Sequence, residues 1–267
     1  MLLGSTLWTE SALGDRCKAA FLGLILMISV LATPTRCEAG PAAGVAGVLS
    51  IVPGLGQVTE GHTLEGIAWA TSSIGLYLMP SPMLSQIGWD LWFYNMYDAY
   101  RDAAPDDHRY ANQTFLSNYI AFYNPLSLID PIGAPVVAYA AIGGYQNGYP
   151  ALQSPTAVFT YSFVGLGEEG LFRGFLFPAF SSVTSSKFFG ATISSALFSL
   201  AHATGGAQNL QLYPLTYRFV FGMIFCWQMN INHYDLRDGA FAHSWYDILV
   251  STDSSGMISG LSFRFPL

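Results

Sequence analysis

The sequence predicts an all-α fold, a polytopic integral membrane helical bundle, and three observations carry that expectation. The 267 residues are 52% hydrophobic with a mean hydropathy of +0.37. Only 10% are charged, against about 25% in soluble domains. In the second half, from Ser154 onward, apolar segments follow one another closely and are rich in Gly, Ala, Ser and Thr, the small residues that let membrane helices approach. The net charge of −7 is spread over acids such as Asp102, Asp106 and Asp107 with no basic patch, which argues against nucleic acid as a partner. Cys17, Cys37 and Cys226 have no spacing that suggests a zinc site or a disulfide framework.

Residues 1 to 39 read as a targeting segment. Arg16 and Lys18 precede the apolar run Ala19 to Ala32, and Cys37-Glu-Ala39 offers small residues for cleavage. The run spans roughly 21 Å against a hydrocarbon core of about 30 Å, which favours a signal peptide over a first membrane anchor. The alternative is an uncleaved first helix.

Residues 40 to 110 read as a membrane hairpin module. One apolar stretch reaches Ile51, a break follows at Pro53-Gly54-Leu55-Gly56-Gln57, and a second stretch runs from Leu64 to Met79. Further on, Asp90 and Asp98 accompany Trp89, Trp92, Tyr94, Tyr97 and Tyr100. That mixture is expected of a helix at the membrane interface, with rings as anchors and acids solvated. The segment from Ser50 to Ala70, with Trp92 to Ala103, resembles a Pro-Gly-x-Gly-Gln hairpin module of small bacterial membrane proteins.

Residues 111 to 153 read as connecting short helices and a loop. Phe115 to Tyr123 and Gly133 to Ala141 are too short for straight spans, and Asn124-Pro125 and Asp130-Pro131 read as turns. Gly143 to Pro150 is a loop by composition. The core from residue 154 to 252 has five apolar segments: Thr156 to Leu166, Leu171 to Phe180, Phe188 to Ala203, Pro214 to Met229 and Ala240 to Val250. Lys187, Arg218 and Arg237 are the cations expected in its loops. The tail, 253 to 267, ends in an alternation of polar and apolar residues from Ser262 to Leu267.

Three polar insertions interrupt the apolar core. Glu168, Glu169 and Arg173 lie in Val164 to Phe180, where each charge at bilayer depth would cost about 2.5 to 3.5 kcal/mol. On a helix Glu169 and Arg173 are four apart with the acid first, the favourable order for an ion pair, while Glu168 points roughly 100° away. His202 ends the second insertion on the face of Phe198, just before Thr204-Gly205-Gly206. His243 and Asp247 share one face of the third. A single buried histidine is ordinarily a packing residue; two glutamates, two histidines and an aspartate are mutually expensive unless they converge on a wet cavity.

In that order and spacing, Glu168-Glu169-x-x-x-Arg173, Phe198-x-x-x-His202 and His243-x-x-x-Asp247 resemble the three motifs of the CPBP family of intramembrane proteases, also called the ABI family. That family groups CAAX prenyl endopeptidases with bacteriocin-processing and immunity proteins, and the resemblance covers about residues 154 to 252. It implies that Glu168 with His202 activates a water, that Glu169 and Arg173 brace the site, and that His243 with Asp247 steadies the oxyanion. It also implies a peptide or membrane-protein substrate, a lipid bilayer as partner, and a place in the bacterial inner membrane. One position departs: the prenyl-endopeptidase branch carries asparagine where this chain has Asp247. An ionised aspartate cannot donate to an oxyanion, so Asp247 is either protonated or orients His243.

The chemistry of those residue types agrees, because peptide hydrolysis needs a base for water, an acid for the leaving amine and donors for the oxyanion. No cofactor is required by this scheme. A zinc alternative would use Glu168, His202 and His243 from three helices with water as the fourth ligand, although the His-Glu-x-x-His motif is lacking. Two non-peptidase readings accompany it. In one, a scaffold or immunity protein keeps the same residues as a buried polar network. In the other, a transporter would need two related halves, which the sequence does not contain.

Overall fold

A computed structural model describes residues 41–104, 113–205 and 211–252. The expectations for residues 1 to 39, for Asp106 and Asp107, and for the tail from 253 lie outside the described residues. Every element within them is helical, as the all-α expectation requires.

The chain opens with α1 (Pro41–Leu49), a turn, the short α2 (Leu55–Thr59), α3 (Thr63–Tyr77) and α4 (Pro82–Asp102). The Pro-Gly-x-Gly-Gln break is held by specific contacts. Gly54 has φ 81°, and a Cβ there would lie 1.9 Å from the carbonyl oxygen of Gly66, so only glycine fits. Its N–H donates to Asn95 Oδ1 at 2.9 Å. Gln57 is fully buried and donates from Nε2 to Asp98 Oδ2 at 3.2 Å. Trp69 Nε1–H donates to the same oxygen at 2.7 Å, and Arg101 Nη2 lies 2.7 Å from Oδ1.

This geometry corrects the interface reading of α4. Asp90 and Asp98 are not solvated; they are 2% and 1% exposed. Asp98 can be buried because Arg101 opposes its charge and Gln57 and Trp69 supply donors. Asp90 accepts from Gln86 Nε2 at 3.0 Å. Tyr94, Tyr97 and Tyr100 are core residues rather than membrane anchors.

After α5 (Phe115–Ile120) come two 3₁₀ turns, Ala121–Tyr123 and Pro125–Ile129, and then α6 (Gly133–Tyr145). Both anticipated turns are built by side chains: Leu126 N–H donates to Asn124 Oδ1 at 3.1 Å, and Ile132 N–H to Asp130 Oδ1 at 3.1 Å. The next helix starts with Ser154 accepting from Ala157 N–H and Pro155 in the first turn, and forms α7 (Pro155–Glu169). It continues without a break through a π-helical segment, Gly170–Leu176, into α8 (Phe177–Thr184), which ends at Ser185 with φ 52°. Then follow α9 (Lys187–Ala201), capped by Ser186, a 3₁₀ turn His202–Gly205, α10 (Leu212–Ile231) and α11 (Arg237–Val250).

Glycines set the depth at which α7 sits among its neighbours. A Cβ on Gly167 would lie 2.5 Å from Asp90 O on α4, and one on Gly165 would lie 2.6 Å from Ser244 N on α11. Further along, a Cβ on Gly174 would lie 2.4 Å from the Tyr97 ring. The helix carrying Glu168 and Glu169 is thereby clamped between α4 and α11, backbone close to backbone. On the other side of the site, α9 packs between α8 and α10, whereas α10 and α11 touch only sparsely.

No helix among the described residues is long and apolar enough to cross a membrane. The expected spans are cut by turns or carry polar groups. The continuous run from Pro155 to Thr184 holds Glu168, Glu169 and Arg173 in its middle.

Candidate active site

The structure brings all six anticipated residues together, and it sorts them into two layers. Glu168, His202, His243 and Asp247 line a cavity of about 510 Å³. Glu169 and Arg173 lie behind it, each 1% exposed. The layering follows from helical geometry: Glu168 and Glu169 are neighbours in sequence and therefore turn to different faces at the end of α7.

In the rear layer Arg173 Nη1 is 3.1 Å from Glu169 Oε1. The pair is at ion-pair distance, yet none of the guanidinium nitrogens finds a well-directed hydrogen bond among the described residues. The cation instead lies against aromatic faces, 4.2 Å from the Phe198 ring centroid and 5.3 Å from that of Phe225. Glu169 Oε1 also accepts from His243 Nδ1 at 2.7 Å. That bond requires the proton on Nδ1 and leaves Nε2 of the neutral ring as an acceptor.

His202 is arranged in parallel. It follows the last residue of α9, and its Nδ1 lies 2.9 Å from the Phe198 carbonyl oxygen, an acceptor only, so Nδ1 donates. Its ring sits 4.5 Å from the Phe198 ring, in keeping with their four-residue spacing on one helix face. Both imidazoles therefore present Nε2 to the front layer. His202 Nε2 and His243 Nε2 are each 3.6 Å from the same atom, Glu168 Oε2. That oxygen is buried and has no direct hydrogen-bond partner among the described residues. A separation of 3.6 Å is too long for a direct hydrogen bond, so Glu168 Oε2 faces both imidazoles without bonding either. Asp247 Oδ2 lies 3.7 Å from His243 Nε2, and the Asp247 side chain is 21% exposed to the cavity.

The opposite wall was not anticipated. It comes from α10 and includes Tyr217, Arg218, Phe221 and Phe225. Arg218 was expected in a loop; it belongs to the helix itself, and its Nη1 lies 3.5 Å from the carbonyl oxygen of His202. The signal was available, since Arg218 is the lone charge in the apolar stretch from Leu212 to Ile231, the same kind of insertion that marks Glu168. Tyr217 and Tyr246 hydroxyls meet at 2.5 Å and bridge α10 to α11 across the cavity.

The zinc alternative fits only in part. Two Nε2 atoms face one carboxylate oxygen, as in a metal site. Glu168, His202 and His243 are nevertheless not drawn together as tightly as the exposed His62 and Glu65 with the partly buried Asp102, whose ligand atoms all lie within 4.8 Å of one another. A zinc ion would require the two imidazoles to close in.

Residues 150–249 match a family model described as type II CAAX prenyl endopeptidase Rce1-like. The matched stretch holds all three polar motifs and agrees with the CPBP resemblance drawn from them. No curated protein and no solved structure matches the chain.

Proposed function

We propose that the chain is a metal-free intramembrane endopeptidase of the CAAX type, hydrolysing a peptide bond of a membrane-associated substrate in the cavity beside Glu168. The observation that carries this reading is Glu168 Oε2, buried and facing two imidazole Nε2 atoms at 3.6 Å each. A water beside Glu168 and His202 can donate one O–H to Glu168 Oε2, which takes that proton, and the other to His202 Nε2, which leaves its lone pair free to attack.

In this scheme Glu168 accepts the water proton as the oxygen attacks the scissile carbonyl carbon, and then delivers it to the departing amine nitrogen. His202 orients the water through Nε2, its ring fixed by the Phe198 carbonyl. His243 and Asp247 face the developing oxyanion; the donor is His243 protonated at Nε2 or Asp247 in its acid form. Glu169 and Arg173 touch neither water nor substrate and hold His243 from behind. Neither group lines the cavity.

The setting as a multi-pass protein of a bacterial inner membrane is part of the proposal, and contact with lipid is the part that the exposed side chains support. Leu64, Ile129, Ile142 and Leu212 are 76 to 84% exposed. Glu168, Glu169, Arg173, Asp90 and Asp98 are almost wholly buried. Exposed apolar surface with charge inside is what a lipid solvent selects.

Cleavage of quenched-fluorescent peptides by protein in detergent or liposomes tests this reading. Loss of cleavage with a chelator and its return with zinc would transfer Glu168, His202 and His243 to metal ligation. A stable but inert wild type, with Glu168→Gln lowering stability, would support the buried-network alternative.

A further inference from the structure

We infer that Phe225, outside all three polar motifs, is a positioning residue of the proposed reaction: its ring fixes the plane of the His243 imidazole and so keeps Nε2 aimed at Glu168. The inference deepens the peptidase reading and rests on it for its kinetic part.

The hydrogen bond from His243 Nδ1 to Glu169 Oε1 at 2.7 Å anchors one corner of the imidazole. One hydrogen bond does not fix a ring, because the terminal torsion of histidine has a broad, shallow profile and the ring can tilt about the bonded atom. A second constraint is needed, and it is aromatic. The rings of Phe225 and His243 are stacked, with centroids 5.4 Å apart and planes 19° from parallel. Phe198 meets the same imidazole differently, nearly edge-on at 5.9 Å and 74°. Phe225 supplies the parallel face.

Phe225 itself has little freedom. It is 2% exposed, and the Arg173 guanidinium lies 5.3 Å from its ring centroid. Arg173 is in turn paired with Glu169, the acceptor of the His243 bond. Glu169, Arg173, Phe225 and His243 therefore form a closed circuit in which each group limits its neighbours. On α10, Arg218 and Tyr217 reach the cavity wall, whereas Phe225 acts through its ring, which a search for polar insertions passes over.

Wild type, Phe225→Leu, Phe225→Met and Phe225→Tyr are compared in detergent, with folding checked by thermal unfolding. Ring-labelled histidine provides an NMR readout, and His243→Gln identifies the His243 signals. In Leu and Met variants the His243 ring protons should lose the shielding of a stacked aromatic face and move downfield, while Phe225→Tyr keeps it. The kcat for peptide cleavage should fall about ten- to a hundredfold in Leu and Met with KM unchanged, and Tyr should recover most of the rate. If Leu fails to fold, Met decides, being flexible enough to fill the space. Unmoved His243 signals in a folded non-aromatic variant overturn the inference. So does a rise in KM alone, which would make Phe225 a substrate contact. Should wild type cleave nothing while the signals move as expected, the stacking of Phe225 on His243 stands, and the peptidase reading fails together with the kinetic role drawn from it.

Discussion

Glu169 Oε1 is shared: His243 Nδ1 donates to it at 2.7 Å while Arg173 Nη1 approaches to 3.1 Å. One carboxylate oxygen thus links the cation behind the site to the imidazole in front of it. The link can be broken from either side with different consequences.

Arg173→Met removes the cation and leaves the Glu169 carboxylate buried, a change expected to cost about 3 to 5 kcal/mol. The double variant Glu169→Gln, Arg173→Met removes both charges and should regain most of that stability. It should not regain activity, because His243 then faces a neutral amide. Chemical unfolding and peptide cleavage on the same samples check both statements; a double variant as unstable as the single one contradicts the pairing.

Asp247 lies 3.7 Å from His243 Nε2 and borders the cavity. Asparagine has nearly the same shape and brings an N–H donor, so Asp247→Asn should keep kcat/KM within about tenfold of wild type, whereas Asp247→Leu, without any donor, should lose a hundredfold or more. Equal losses in both variants would mean that Asp247 acts through its charge on His243 and not near the oxyanion.

Helix packing makes a prediction about two glycines. A Cβ at Gly167 would lie 2.5 Å from the Asp90 carbonyl oxygen, while one at Gly75 on α3 meets nothing within 4 Å. Gly167→Ala should destabilise by about 1 to 3 kcal/mol as α4 and α7 are pushed apart, and should displace the adjacent Glu168 enough to lower cleavage. Gly75→Ala should be neutral or stabilising by about 0.5 to 1 kcal/mol. Unfolding midpoints in detergent check the pair, and a neutral Gly167→Ala would contradict the close crossing.

The contrast between these residues explains how much could be read in the sequence. Glu168, Glu169, Arg173, His202, His243 and Asp247 stood out because a charge or imidazole within an apolar stretch is conspicuous, and helical spacing says which of them share a face. Their convergence is tertiary and comes from crossings at Gly165 and Gly167 that no local pattern announces. In the sequence Asp90 and Asp98 look solvated because acids among aromatic rings are the composition of an interface; their burial depends on Gln57, Trp69, Arg101 and Gln86, the first two from outside α4. The π-helical segment after Glu169 left no mark in the spacing, since Glu169 and Arg173 still meet. Phe225 was hidden for a simpler reason: one phenylalanine in an apolar helix carries no signal until its neighbour is known.

The central claim is that Glu168 is the base, and the most direct measurement compares wild type, Glu168→Gln and His202→Ala on a quenched-fluorescent peptide library, each with and without chelator. Wild type should cleave in either condition, and both variants should remain folded with cleavage reduced by a factor of 100 or more, in line with the loss of a general base. A folded Glu168→Gln protein that cleaves at the wild-type rate would contradict it.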